Sequence, residues 1–362
     1  MICQSLSSMN RRAFLRTSSL AALATAAGPR LAAAPAAPLR VVQVGTTHSH
    51  APAKWTTINR LTADFAVAGI WEPDPAERAK SRTRPEYAGA RWLEERELFS
   101  DRTIQAAVVE TELPDLHATG RRCLEADWHV HLDKPPGRDL AGLTELQRLA
   151  VQGKRVFQHG YMYRYHPAIR FAVEQARAGL LGKILAIHGD IGSEMAADRR
   201  PWLAEAYGSS MMLLGCHLVD VAVAILGEPQ AVKGHRRRSF PKRDNYYDNS
   251  TAVLEYPEAL AIIRSLNFEV GGGPRRQFAV FGETGSIEVR PLEPGQVRLT
   301  LKQAAGGFAA GAQEAKLPAV AGRYDEQLQD FAAMVRGSPS SISYYTPAHD
   351  LAVHRAVLAA TG

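Results

Sequence analysis

The chain predicts a doubly wound parallel α/β sheet from Leu39 to Gln158, followed by an α+β domain built on a large, open, mainly antiparallel sheet. The first expectation rests on alternation. Short apolar runs at 39–44, 65–71, 106–109, 128–132 and 156–158 are separated by helical stretches at about 51–61, 75–82, 116–125 and 140–152. Each interval is long enough for the crossover that a parallel strand pair requires. The second expectation rests on a change of period. A helix at about 167–178 precedes strands at 183–189, 231–236, 251–256, 261–266, 275–281, 286–290 and 297–301, several alternating apolar with polar residues. Such alternation leaves one face covered and one open, and an open face suits contact with a second copy of the chain. Helices at 324–335 and 350–360 complete the pattern. The expected divisions are a leader over 1–34, a first domain over 39–158, a second over 159–345 and a terminal helix over 346–362.

The amino terminus carries Asn10-Arg11-Arg12-Ala13-Phe14-Leu15-Arg16, then a mildly apolar run to Ala27 and the triplet Ala32-Ala33-Ala34. This resembles a twin-arginine export signal with a small-residue cleavage site, and it implies the export machinery as a partner and a periplasmic or secreted location. The apolar run is too short and too weakly hydrophobic for a permanent anchor. The formal charge is +6, and the leader contributes four arginines and no acid, so only +2 remains without it. That balance gives no case for nucleic acid. Cys123 and Cys216 lie in separate segments without metal-type or disulfide-framework spacing and are expected to be free thiols.

Leu132-Asp133-Lys134-Pro135-Pro136-Gly137 places an acid and an amine directly after a buried strand, where parallel sheets bind ligands. Desolvation there lowers a lysine pKa, and Lys134 can then hydrogen-bond a substrate hydroxyl and help remove its proton. The first strand runs into Gly45-Thr46-Thr47-His48-Ser49-His50, where a dinucleotide loop would read G-x-G-x-x-G. Gly45 occupies the first glycine position, and Thr47 and His50 occupy the other two. With Thr46 and His48 this loop is the candidate cofactor site. Glu72 ends the second strand, where its carboxylate would accept hydrogen bonds from a ribose diol and disfavour a 2′-phosphate, which favours NAD over NADP. The alternative for Glu72 is a loop acid capping the next helix. His48, His50, His131 and His217 are all expected near one crevice, so a metal site is a second reading of the histidines.

Several landmarks then agree in order with one family. Asp133-Lys134-Pro135 is similar to an E-K-P signature, Gly160 to Pro167 to an aromatic segment ending in R-[FY]-x-P, and Gly215-Cys216-His217-Leu218-Val219-Asp220 to G-x-H-x-x-D. Val280 to Ile287 resembles a G-x-x-G hairpin, and Gln327 to Val335 the family's terminal helix. The chain thus resembles the Gfo/Idh/MocA oxidoreductases of sugars and cyclitols. The resemblance implies a Rossmann domain, a substrate and oligomerisation domain with an open sheet, and a nicotinamide held between them. It also implies Lys134 as the contact to substrate and nicotinamide ribose, and His217 as the general base. Tyr161, Arg164, Tyr165 and His166, at the domain junction, are the candidate substrate contacts; Asp220 is read as structural. The family acid four residues before the histidine is replaced by Leu213, with Asp248 or Glu194 as substitutes to examine. The expected activity is NAD(P)-dependent oxidation or reduction of a sugar, sugar-derivative or cyclitol hydroxyl. The alternatives are redox-neutral glycoside cleavage with a retained cofactor, a metal-dependent enzyme, or a carbohydrate-binding protein without turnover.

Overall fold

The computed structural model describes residues 37–319 and 322–362, and the expected leader over 1–34 lies outside the described residues. The first sheet contains β1 (Leu39–Val44), β2 (Phe65–Trp71), β3 (Ala106–Val109), β4 (His129–Leu132) and β5 (Phe157–His159), in the order β2-β1-β3-β4-β5. Every pair in it is parallel. The helices along this stretch are α1 (Ala51–Arg60), α2 (Pro75–Ser81), α3 (Glu95–Ser100), α4 (Leu116–Glu125) and α5 (Leu140–Gly153). The strands read as unbroken apolar runs because the sheet is covered on both faces: all of β3, and Val41, Val42, Val44, Val130 and Leu132, are fully buried. Strand order reverses between β1 and β3, and a doubly wound sheet opens its ligand crevice at that point.

The second part runs α6 (Pro167–Arg177), β6 (Ile184–Gly192), α7 (Arg200–Ala206), α8 (Cys216–Leu226), then β7 (Ala231–Arg237), β8 (Asn249–Glu255) and β9 (Leu260–Leu266). It continues through β10 (Gln277–Gly282), β11 (Gly285–Val289), β12 (Val297–Leu301), β13 (Gly311–Glu314), α9 (Asp325–Val335) and α10 (Pro347–Thr361). Its eight-stranded sheet has the order β13-β12-β11-β10-β6-β9-β8-β7 and is antiparallel except for the β6–β9 pair. On β9, Ala261, Ile263 and Ser265 are buried while Leu260 and Ile262 are exposed, which is the expected one-faced burial. α8 packs between that sheet and helices α6 and α10. It is apolar on nearly every side because it is surrounded.

Three departures from the sequence reading have physical reasons. β13 escaped notice because Gly311-Ala312-Gln313-Glu314 contains no β-branched or aromatic residue. α8 gives no amphipathic period because all its faces are covered. α9 falls inside the 159–345 division but returns to the first sheet: Gln327 exchanges hydrogen bonds with Gln158 and the His159 carbonyl of β5, and Arg60 of α1 pairs with Asp325.

Candidate active site

Lys134 stands just past β4. Its Nζ donates to the Leu213 carbonyl oxygen at 2.8 Å, in the π-helical turn Met211–Gly215 that leads into α8. His217 follows one turn later, so the lysine amine and the histidine are brought together at the junction of the two sheets. The side chain of Leu213 offers no carboxylate, and its backbone carbonyl takes the ammonium instead. Lys134 and His217 are each 2% exposed. Burial pulls the Lys134 pKa down and sets that of His217 well below the usual imidazole range, with the nearby Lys134 charge adding to the latter. The imidazole is therefore neutral and able to accept a proton. Its ring meets Tyr161 and Tyr163 edge to face at centroid distances of 5.8 and 5.1 Å. Both His217 Nδ1 and the Tyr161 hydroxyl are buried without a partner among the described residues, and such groups are what a polar ligand satisfies.

The glycine loop sits over the ends of β1 and β3. Gly45 has φ +89°, and a Cβ there would stand 2.6 Å from Thr111 Cγ2 and 2.8 Å from its amide nitrogen, so no side chain fits. Glu72 Oε2 accepts from the Thr46 amide at 2.6 Å and its hydroxyl at 2.7 Å, while Oε1 accepts from the Asp74 amide at 3.0 Å. The carboxylate thus anchors the loop, which corrects the picture of a group held free for a ribose. A polar cavity of about 610 Å³ opens against Thr46, Thr47, His48 and Ser49, with Lys80, Arg84 and Arg199 in its wall and Glu77 and Glu112 also lining it. A loop with a helix amino terminus and three cations fits the diphosphate of a dinucleotide. Thr47 lines this cavity in place of the second glycine, whereas His50 turns to Asp133 and a neighbouring cavity.

Beneath the loop lies a charged cluster of which sequence reasoning missed Lys54 and Glu110. Lys54 of α1 is fully buried and donates to Asp133 Oδ2 at 2.6 Å, Glu110 Oε1 at 2.8 Å and His131 Nε2 at 2.8 Å. His131 Nδ1 then donates to Gln158 Oε1 at 2.7 Å, and Gln158 Nε2 donates to the Tyr165 hydroxyl at 2.9 Å. Burial alone would lower the Lys54 pKa, but Asp133 and Glu110 hold it up. Burial, reinforced by Asp133, raises Glu110 well above the usual carboxylate range. Asp133 is pulled the other way, well below the usual carboxylate range, with the Lys54 ammonium opposing its burial. A signal was present: Ala51, Lys54, Trp55 and Ile58 share the i, i+3, i+4, i+7 stripe of α1, and Glu110 directly follows an all-apolar strand.

The candidate substrate residues divide. Tyr161 lies against His217. Arg164 does not face a ligand: it binds both oxygens of Asp220 and reaches Asp350 Oδ1 at 2.7 Å. The Tyr165 hydroxyl is committed to Asp330 at 2.9 Å. His166 caps α6 through Nδ1 and lines a separate cavity beside Glu293. Asp220 is structural, as expected. Asp248, one candidate substitute acid, is held by Arg200 and Ser239, and Glu194, the other, is exposed. Cys123 and Cys216 are free and buried.

The family model described as the oxidoreductase family with an NAD-binding Rossmann fold matches residues 39–161, and that of the GFO/IDH/MocA C-terminal domain matches 169–288. An uncharacterised oxidoreductase of Synechocystis is 25% identical over 53% of this chain and 56% of its own length. An inositol 2-dehydrogenase/D-chiro-inositol 3-dehydrogenase of Lacticaseibacillus casei is 23% identical over 69% of this chain and 72% of its own length. Among solved structures, a putative NADPH-dependent oxidoreductase from Desulfitobacterium hafniense superposes with a TM-score of 0.75 at 15% identity, covering 90% of this chain and 94% of that one. The matched stretches span only about half of the first curated relatives, 56% and 48% of their lengths. Both sheets, their order along the chain and the two family matches agree: the chain belongs to the Gfo/Idh/MocA family.

Proposed function

We propose that this chain is a nicotinamide-dependent oxidoreductase acting on a hydroxyl of a sugar, sugar derivative or cyclitol. The observation that carries this reading is the Lys134 amine held 2.8 Å from the Leu213 carbonyl, one helical turn before His217. A substrate hydroxyl replacing that carbonyl would be hydrogen-bonded by Lys134, and His217 would remove its proton. A bound nicotinamide supplies the acceptor for the hydride that leaves the same carbon. The loop from Gly45 to His48 would hold the diphosphate, and Glu72, by fixing Thr46 beside the ribose position, favours NAD over NADP. The likeness to an inositol dehydrogenase over 69% of this chain supports a polyol substrate.

Export through the twin-arginine route is part of the proposal, supported by Asn10 to Arg16 and Ala32 to Ala34. A cofactor loaded before export would be retained and regenerated in each cycle, since no soluble nicotinamide pool awaits it outside. Exposed Leu185, Leu260 and Ile262 on the open face of the large sheet support pairing with a second copy of the chain.

The test is to purify the exported protein, denature it and measure released NAD(H) and NADP(H) by mass spectrometry, then screen polyols and sugars for turnover. Stoichiometric nucleotide is expected. Lys134→Met and His217→Ala should each lower turnover by about 10²–10⁴-fold while the fold persists. Absence of nucleotide, together with no binding of added NAD or NADP, would overturn the reading.

A further inference from the structure

Three polar side chains, His48, Asp133 and Glu110, converge beneath the glycine loop. His48 Nε2 lies 3.2 Å from the Lys134 carbonyl oxygen, which can only accept, so the ring proton is on Nε2 and Nδ1 presents its lone pair. That lone pair faces Asp133 Oδ2 at 3.2 Å and Glu110 Oε2 at 3.6 Å. Glu110 Oε2 is buried and meets no donor among the described residues. The His50 amide donates to His48 Nδ1 at 3.2 Å, a long bond that a cation at this nitrogen would displace, and the His50 side chain adds its own Nδ1 at 3.1 Å from Asp133 Oδ2.

We propose that this cluster binds a divalent transition-metal cation through His48 Nδ1, His50 Nδ1 and the Asp133 carboxylate. These donor atoms lie within 4.8 Å of one another. Two ligands about 2.1 Å from a metal stand roughly 3.0–3.4 Å apart at octahedral to tetrahedral angles, which is the spacing of each imidazole from the carboxylate here. The contact of His48 Nε2 with a backbone carbonyl is the kind of outer hydrogen bond that fixes the ligating tautomer. Glu110 Oε2, the one buried acceptor of this cluster without a donor among the described residues, borders the position at 3.6 Å from His48 Nδ1.

Lys54 donates to the far oxygen of Glu110, Oε1, and to the same Asp133 Oδ2 that faces the two imidazoles. It holds both carboxylates in place and keeps the affinity below that of an all-anionic cage. His50 is partly exposed on a cavity of about 410 Å³ shared with Ser49, Arg323 and Tyr324, which gives a cation access. Two imidazoles and one carboxylate suit zinc and its first-row neighbours better than magnesium or calcium. The site shares His48 with the loop proposed to hold the diphosphate, but it does not depend on the hydride-transfer reading.

The test uses the untagged full chain, stripped with a chelator and titrated with zinc by calorimetry and with cobalt by visible absorption. One equivalent of zinc and a cobalt d–d band are expected. His48→Ala and His50→Ala should each weaken zinc binding by at least about tenfold, while His235→Ala, on an exposed position of β7, should leave it unchanged. Because His50 is partly exposed, its variant should fold even if the His48 variant does not, and circular dichroism checks this. No saturable uptake by the folded chain, or uptake that folded His50→Ala leaves unchanged, overturns the proposal.

Discussion

The ammonium of Lys54 lies 2.6 Å from Asp133 Oδ2, joining the helix beneath the glycine loop to the turn that carries Lys134. Both side chains are fully buried. A charge pair in this position contributes less through attraction than its rupture costs, because the surviving charge has no water to turn to. Lys54→Met should therefore destabilise the fold by about 3–5 kcal/mol, read from urea unfolding midpoints. Adding Glu110→Gln to that variant should recover part of the loss, since one of the two unpaired carboxylates is removed. Strict additivity of the two substitutions would contradict the coupling.

Arg164, expected to contact substrate, has its charge spent inside the protein. Its guanidinium bridges Asp220 and Asp350, all three groups being buried. Arg164→Met should cost about 3–5 kcal/mol of stability. In Arg164→Lys, which keeps a positive charge, KM for any accepted polyol should stay at the wild-type value. A selective rise in KM would restore the substrate role.

Glu72 fastens the loop through three hydrogen bonds to Thr46 and Asp74. Hydrogen bonds to a charged acceptor contribute roughly 1.5–3 kcal/mol each. Glu72→Ala should weaken NADH binding by about tenfold or more, equivalent to about 1.4 kcal/mol. On the proposed preference for NAD, NADPH binding should weaken less than NADH binding, because a negative charge near the ribose side of the loop is gone. Fluorescence titration with both nucleotides checks this.

His354 on α10 is buried, with Nε2 donating to the Asp139 carbonyl oxygen at 3.1 Å. Burial lowers its pKa from 6.5 to about 4. The unfolded imidazole takes up its proton near pH 6.5 and the folded one only near 4, so the unfolded state binds more protons in that window. Stability present above pH 6.5 is lost as the pH falls toward 4. His354→Gln keeps a donor for the carbonyl and cannot titrate. Its Tm should fall less than that of the wild type between pH 7 and pH 5, measured by scanning calorimetry. Equal falls would show that other buried histidines carry the acid sensitivity.

Much of the architecture was legible in the chain because burial writes itself into local patterns. The five runs of the first sheet match β1 to β5 within a residue at each end, since a sheet covered on both faces requires unbroken apolar segments. Seven strands of the second sheet were visible, several of them through their alternation. β13, whose Gly311 and Ala312 carry almost no side chain, was not. Lys54 was overlooked because a lone lysine on a helix is ordinarily solvated. Its place in the buried stripe of α1 acquires meaning only when Glu110 and Asp133 arrive from β3 and β4.

The sequence by itself determined the two-part α/β architecture, the one-faced second sheet, and the position of Lys134 just beyond a parallel strand. These follow from periodicity and from the rule that such sheets bind at the carboxyl ends of their strands. The tertiary structure alone decided how the polar atoms are used. It gave the Lys134 amine to the Leu213 carbonyl, Glu72 to Thr46, Arg164 to Asp220 and Asp350, and it gathered Lys54, Glu110, Asp133 and two histidines beneath one loop. Hydrogen bonds and ion pairs are short and directional, so partners drawn from residues many positions apart are set by the packing of the strands that carry them.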